Sequence, residues 1–347
     1  MLAAYAARIG GDDPVANLEV GELPDPAPRP GWALVRVRAA TLNHHDLWTL
    51  RGVGPRPIVP PQILGCDAAG TVEAYHGEPE DGRPALGSRV VVHSVVACGQ
   101  CAACAAGEPE QCRRVGVFSD APLSGTLAQL LETPVENLIP LPDSVDFAAA
   151  ACLPTAYLTA YHALYASTRL TPGDTLLVQG AAGGVATAAM LLARASGIRF
   201  LVTSRDAGKR RFAEELGAAA TFEPNRDAAK QIFAATSGRG VDAVLDTVGE
   251  PTWDLSLRAV RRDGTVVVAG STGGPNPPAQ LNRIFWFRIT IAGTSMGSAE
   301  ELRRLVAMCA QGTLRPLIGS VHTLEDAGEA MSRLVAGETW GKIVIEP

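Results

Sequence analysis

"TLLVQGAAGGVATAAMLLARASG", residues 175–197, is an apolar run, a glycine-rich turn and a stretch of small helix-forming residues in immediate succession. Read outward from the glycines, a buried strand ends where a helix begins, the opening move of a parallel α/β unit. Backbone N–H groups at such a helix start can approach a pyrophosphate closely. The dinucleotide fingerprint is G-x-G-x-x-G, whereas Ala181 to Ala186 reads A-A-G-G-V-A, with alanine at two of the three defining glycines. In isolation the stretch is a weak signal that a plain tight turn also explains, so its context decides.

That context is a series of short apolar runs separated by helical stretches. After "TLLVQG" (175–180) come "RFLVTS" (199–204), "AATFEP" (219–224), "VDAVLDTVG" (241–249), "GTVVVAGS" (264–271) and "ITIAGT" (289–294). "GVATAAMLLARASG" and "DAGKRRFAEELGA" are helical segments between them. Six strands alternating with helices imply an α/β fold with a doubly wound parallel six-stranded sheet. The second strand should end in an acid if the site prefers NAD, because a carboxylate holds the ribose 2′-OH. Thr203, Ser204 and Arg205 stand there instead, and Asp206 reads as the cap of the next helix. Ser204, Arg205 and Lys209 could bind a 2′-phosphate, which favours NADPH over NADH. They could also be ordinary solvated charges of a helix start.

The first 150 residues differ in character. "WALVRVRAA" (32–40) alternates like a half-buried strand, and "AAGTVEAY" and "GSRVVVHSVV" read as further strands bounded by Gly and Pro. This half reads as a small β-rich barrel with long loops. The last fifty residues hold two more helices and a closing strand, "GKIVIEP". A chain of 347 residues suits two domains rather than one core. Hydrophobic residues make up 47% and charged ones 19%, and the formal net charge is −6 without a basic run. Nucleic acid and anionic membrane surfaces are thus not expected partners. The start lacks a basic n-region and a long apolar core, and no run reaches membrane-spanning length, so a cytoplasmic location is expected.

Four of the seven cysteines fall in "CGQCAACAAGEPEQC", with spacing C-x2-C-x2-C-x7-C at Cys98, Cys101, Cys104 and Cys112. In a reducing compartment disulfides are disfavoured. Four thiolates on one loop suit tetrahedral Zn²⁺, and a closed four-sulfur site has no position for substrate, so such a zinc is structural. A ferredoxin-type run would have a gap of three before its fourth cysteine and Pro after it. Here the gap is seven and Arg113 follows. An iron–sulfur cluster and four free thiols are the remaining readings. Cys66, Cys152 and Cys309 read as buried small hydrophobes.

Taken together, "NHHDLWTLRG", "ILGCDAAGTVE", the four-cysteine lobe, "TAYLTAYHAL", "VQGAAGGVATAA", "DTVG" and "GKIVIEP" resemble the medium-chain dehydrogenase/reductase superfamily. The resemblance extends along nearly the whole chain, to the zinc alcohol dehydrogenase-like and quinone oxidoreductase-like branches. It implies a GroES-like catalytic domain at 1–155 and 296–347, carrying a zinc lobe at 98–112, and a Rossmann domain at 156–295. It also implies a homodimer in which "ITIAGT" pairs across a two-fold, and one structural zinc per chain. For the cofactor it implies Ala181, Gly183, Gly184 and Val185 at the glycine turn, Val248 and Gly270 at later strand ends, and His44 and Lys342 near its phosphates.

The departures from the zinc enzymes carry the functional argument. Their catalytic zinc ligands fall on Asn43, on the pair Cys66 and Asp67, and on Thr155. Only Cys66 among these is a good ligand, and a catalytic zinc needs about three protein ligands and an open position. An unorthodox site from His45, Cys66 and Asp67 is the alternative. Without a Lewis acid, hydride is more easily delivered to an activated alkene or quinone than to a plain ketone. The expected activity is NADPH-dependent reduction of α,β-unsaturated carbonyls or quinones. Its expected site residues are Asn43, His45, Asp46, Trp48, Cys66 and Thr155, with Tyr157 and Trp286 as further pocket walls. His45 would donate a hydrogen bond or proton. His93 and His162 read as structural. A zinc alcohol dehydrogenase and a non-catalytic NADPH-binding protein are the competing readings.

Overall fold

The computed structural model describes residues 1–77, 82–106 and 109–347. The chain divides into two compact units, Met1–Leu158 with Ser298–Pro347, and Thr159–Gly297.

In the second unit, six parallel strands lie in the order Ala220–Phe222, Arg199–Thr203, Thr175–Gln179, Val241–Asp246, Val260–Val268, Thr290–Gly293. Numbered along the chain this is 3-2-1-4-5-6, the Rossmann order, whose reversal between the first and fourth strands is where dinucleotides bind. The central strands read as continuous apolar runs because helices cover both faces; Leu176, Leu177, Val178, Ala243 and Val244 have essentially no exposed surface. Val260–Val268 starts four residues before "GTVVVAGS", because it continues directly from helix Glu250–Ala259.

The first unit is built on a seven-stranded sheet. Strand Trp32–Thr41 is its spine and pairs antiparallel with Asp67–Tyr75 along its length. Its first half also pairs with Leu130–Pro134, and its end with the closing strand Lys342–Glu346. Strands Arg89–Val92, Leu138–Pro140 and Ile318–Thr323 complete the sheet. The last of these falls between the two C-terminal helices, Ala299–Ala310 and Ala327–Ala336, and its half-buried alternation escaped the sequence reading. Alternate residues of the spine, Val35 and Val37, pack with Leu127, Phe118 and Ile345 in one core.

Two registers matter for function. Thr41 stands opposite Asp67, and Val344 stands opposite Thr41. Helix His44–Leu50 starts three residues beyond Thr41. The ends of three strands and the start of a helix therefore deliver Thr41, Asn43, Asp67 and Lys342 to one place. Gly65 closes the approach to the Asp67 strand with φ +97°, and a Cβ there would press into Thr126 and lie 2.8 Å from Leu127 N. Left-handed backbone strain in a non-glycine residue costs about 1–3 kcal/mol. Gly65→Ala should therefore lower the urea midpoint by at least that stability, and an unchanged midpoint would refute this constraint.

Candidate active site

The first unit brings Asn43, His45, Asp46 and Cys66 together, with Asp67 and Lys342 behind them. Asp67 is fully buried and Lys342 is 3% exposed. One oxygen of Asp67, Oδ2, accepts from Thr41 Oγ1 at 2.5 Å, Asn43 Nδ2 at 2.8 Å and Lys342 Nζ at 3.3 Å. Lys342 Nζ also donates to Asn43 Oδ1 at 2.6 Å and to Leu42 O at 2.8 Å. All three ammonium protons are thus used. The sequence reading set Lys342 against a cofactor phosphate; the structure turns it inward, where it holds the Asn43 amide and the Asp67 carboxylate. Asn43 is correspondingly fixed, with its oxygen to the cation and its nitrogen to the anion.

Asp46 is fully buried too. Its Oδ2 accepts from Asn43 N and its Oδ1 from Gly65 N, both at 2.7 Å. It therefore clamps the helix start to the turn before Cys66, and burial pushes its carboxyl above the usual range. Cys66 is 1% exposed and donates to Phe118 O at 3.4 Å. Burial raises its thiol to about 11. His45 Nε2 lies 3.0 Å from Asp120 Oδ1, and His45 Nδ1 is buried without a hydrogen-bond partner. Burial works against the imidazolium, but the Cys66 sulfur, Asp120 and Asp46 together outweigh it and raise His45. His44 is the exposed neighbour, and desolvation, Lys342 and Arg51 lower it. Trp48 is half-buried on the same helix.

Thr155 is half-buried in a widened helical turn, Leu153–Tyr157, packed against the Asp67 strand. Tyr157 does not present its hydroxyl to a pocket: it is fully buried and accepts the Leu317 N–H at 2.7 Å. Trp286 is 65% exposed on helix Leu281–Phe287. His93 is buried. Cys66 and Cys152 are buried as expected, whereas Cys309 is half-buried.

The four lobe cysteines form no disulfide, and their sulfurs all lie within 4.8 Å of one another. Residues 107 and 108 of this lobe lie outside the described residues. Cys98 N and Arg114 N both donate to Cys112 Sγ, at 3.3 and 3.4 Å. The backbone N–H of Gln100 leads the interactions that lower Cys98 to about 5. Four convergent sulfurs with N–H donors suit a closed structural zinc, and these residues fit it.

In the second unit, strand Thr175–Gln179 ends at Gly180, with φ +88°. Gly183 then precedes helix Gly184–Ala195, and no side chain caps this helix. A Cβ at Gly183 would meet nothing within 4 Å. Open space before uncapped N–H groups fits a pyrophosphate, so Ala181, Gly183, Gly184 and Val185 could hold one. Val248 sits beside Gly180, 3.9 Å from where its Cβ would be, and Gly270 packs against Thr247. Ser204 and Arg205 stand in the turn after strand Arg199–Thr203 and Lys209 in the first turn of helix Ala207–Glu215, which Asp206 caps by accepting Lys209 N at 2.9 Å. Arg210, which the sequence reading passed over, pins this turn by donating to Ser204 O and Arg205 O. Below the turn, Asp246 accepts from Val248 N, Gly249 N, Thr252 and Ser256, a buried hub that "DTVG" only hinted at.

Residues 29–143 match the alcohol dehydrogenase GroES-like domain, and residues 184–311 the zinc-binding dehydrogenase family. A quinone oxidoreductase of Pseudomonas aeruginosa is 30% identical over 341 residues, covering 95% of each chain. The chain belongs to the medium-chain dehydrogenase/reductase superfamily. Acryloyl-coenzyme A reductase of Sulfurisphaera tokodaii is 27% identical, over 96% of this chain and 98% of its own. A crystal structure of an NAD-dependent alcohol dehydrogenase superposes with TM-score 0.91 at 32% identity, covering 100% of both chains. The superfamily's GroES-like and Rossmann parts are the two units described above, and this member is an oxidoreductase. No helix among the described residues is long and apolar enough to cross a membrane.

The catalytic zinc of the superfamily's alcohol dehydrogenases does not fit the residues at its place here. Asn43 is held on both sides of its amide, Asp67 already faces an ammonium, and Thr155 is a poor zinc ligand. Removing one partner of a buried ion pair costs about 3–5 kcal/mol. Lys342→Met should lower unfolding stability by about that much, and adding Asp67→Asn should recover part of it. Strict additivity of the two changes in a denaturant series would contradict the coupling.

Proposed function

We propose that the chain reduces an activated alkene, an α,β-unsaturated carbonyl compound, or a quinone with NADPH, without a catalytic zinc. The observation that carries this reading is the closed Asn43–Asp67–Lys342 contact at the place where the superfamily's alcohol dehydrogenases hold their metal. A fixed ammonium buried behind an amide cannot ligate a carbonyl oxygen as an open metal position does. Chemistry in which charge develops on an oxygen remote from the attacked carbon suits such a site, since hydrogen-bond donors suffice to stabilise the enolate.

NADPH, when bound, supplies the hydride. Ala181, Gly183, Gly184 and Val185 hold its pyrophosphate, and Ser204, Arg205 and Lys209 receive the 2′-phosphate. Support for the phosphate comes from the lack of an acid at the strand end and from the helix start that Asp206 and Arg210 fix in shape. His45, steadied by Asp120, donates a proton or hydrogen bond to the developing oxyanion. Asn43 keeps one amide orientation through its charged neighbours, and Trp48 offers a flat apolar wall to an unsaturated substrate. The likeness to acryloyl-coenzyme A reductase and to quinone oxidoreductases agrees with this choice of acceptor. The exposed Leu281, Phe285 and Trp286 beside the sheet-edge strand Thr290–Gly293 support a homodimer through that edge.

The test is NADPH oxidation over a panel of enones, enoyl thioesters and quinones, set against NADP⁺ reduction by primary and secondary alcohols. Turnover with the unsaturated acceptors is expected. Alcohol-dependent NADP⁺ reduction without it would favour a zinc-type dehydrogenase instead. His45→Phe should lower kcat by about 10²-fold, the usual scale for a lost general acid. Arg205→Glu should weaken NADPH binding by roughly tenfold or more while sparing NADH. Equal loss for both cofactors would remove the 2′-phosphate assignment.

A further inference from the structure

The half-buried His45 and the buried Asp46 and Cys66 turn donor atoms toward one another, a convergence for which the reductase reading has no use. A ring nitrogen of His45, a carboxylate oxygen of Asp46 and the Cys66 sulfur all lie within 4.8 Å of one another. Zinc bonded to such ligands at about 2.0–2.3 Å needs donors only a little closer together. A second observation comes from the histidine. Its Nε2 is held by Asp120 at 3.0 Å, while its Nδ1 is buried with no partner. A carboxylate behind one ring nitrogen, with the other left open, is how metal-bound histidines are oriented. Each Asp46 oxygen accepts one backbone N–H and retains a lone pair.

We propose that His45, Asp46 and Cys66 form a second metal site that takes a zinc-like divalent ion through His45 Nδ1, Asp46 and Cys66 Sγ. The mixed nitrogen, oxygen and sulfur set selects a borderline-soft ion over Mg²⁺ or Ca²⁺. Binding forms a metal–sulfur bond and releases the Cys66 thiol proton to water. The set shares only Cys66 with the ligand places of the superfamily's catalytic zinc. Because Asp46 and Cys66 are almost wholly buried, the ion would be enclosed. It would also occupy the His45 nitrogen that the reductase reading needs as its donor, so a loaded site should slow alkene reduction. That consequence rests on the proposed function, whereas the site itself does not.

The test counts zinc. Full-length protein would be treated with a mild chelator, incubated with excess Zn²⁺, desalted and measured by plasma mass spectrometry. Two zinc ions per wild-type chain are expected, and one in His45→Ala and in Cys66→Ala, the remaining ion being that of the Cys98 lobe. One ion in wild type, or two in either variant, would overturn the site. Asp120→Asn leaves every ligand in place and checks the result if an alanine variant fails to fold. It should weaken the second ion about 10–100-fold, and unchanged affinity would count against the site. If the reductase reading fails there is no turnover for zinc to slow, but the zinc count still decides.

Discussion

A lysine ammonium buried against an aspartate and an asparagine is the contact on which the rest of the site depends. Two buried charges are tolerated when they are paired and well hydrogen-bonded. Here the three protons of Lys342 find Leu42 O, Asn43 and Asp67, and one oxygen of Asp67 takes three donors. The other oxygen, Oδ1, is buried without a partner. Such an arrangement has little freedom to rearrange, so Asn43 presents a fixed face and the helix beginning at His44 inherits a fixed start. Asp46 then ties that start to Gly65 and so to Cys66. Stability and site geometry are the same set of bonds.

The network exists because three distant segments meet by strand register. Thr41, Asp67 and the closing strand are adjacent only because the spine strand pairs with both others at its end. Lys342 reaches Asn43 across a sequence separation of 299 residues. A one-residue slip of the closing strand would turn Lys342 to the other face of the sheet and leave Asp67 uncompensated. The sheet thereby specifies the site, and the buried ion pair in turn penalises any other register.

Much of the fold was legible because its signals are local. The six apolar runs with their helices, the glycine turn and the alternation in Trp32–Ala40 each state their own structure within ten residues or so. The lobe cysteines announced their convergence by spacing alone. The site was legible only in its membership. Asn43, His45, Asp46 and Cys66 were read as neighbours, but Asp120, the partner of His45, is 75 residues away with no motif around it. The resemblance alone places Lys342 near the cofactor phosphates, and only the strand pairing shows that its ammonium points inward. Tyr157 likewise lay in a segment that read as pocket wall, and its hydroxyl is spent on the Leu317 amide. In each case the missing information is a long-range pairing, which residue type and spacing do not encode.

The proposed reaction sends hydride to the carbon remote from the oxygen, at a site built on a buried ammonium rather than an open metal. The most direct measurement is transfer from NADPH deuterated at the nicotinamide C4 position to a simple enone, with the product read by proton and deuterium NMR. Deuterium at the β-carbon and an intact carbonyl are expected. Deuterium on the carbonyl carbon of an allylic alcohol would contradict the proposed reaction and place the chemistry with the alcohol dehydrogenases.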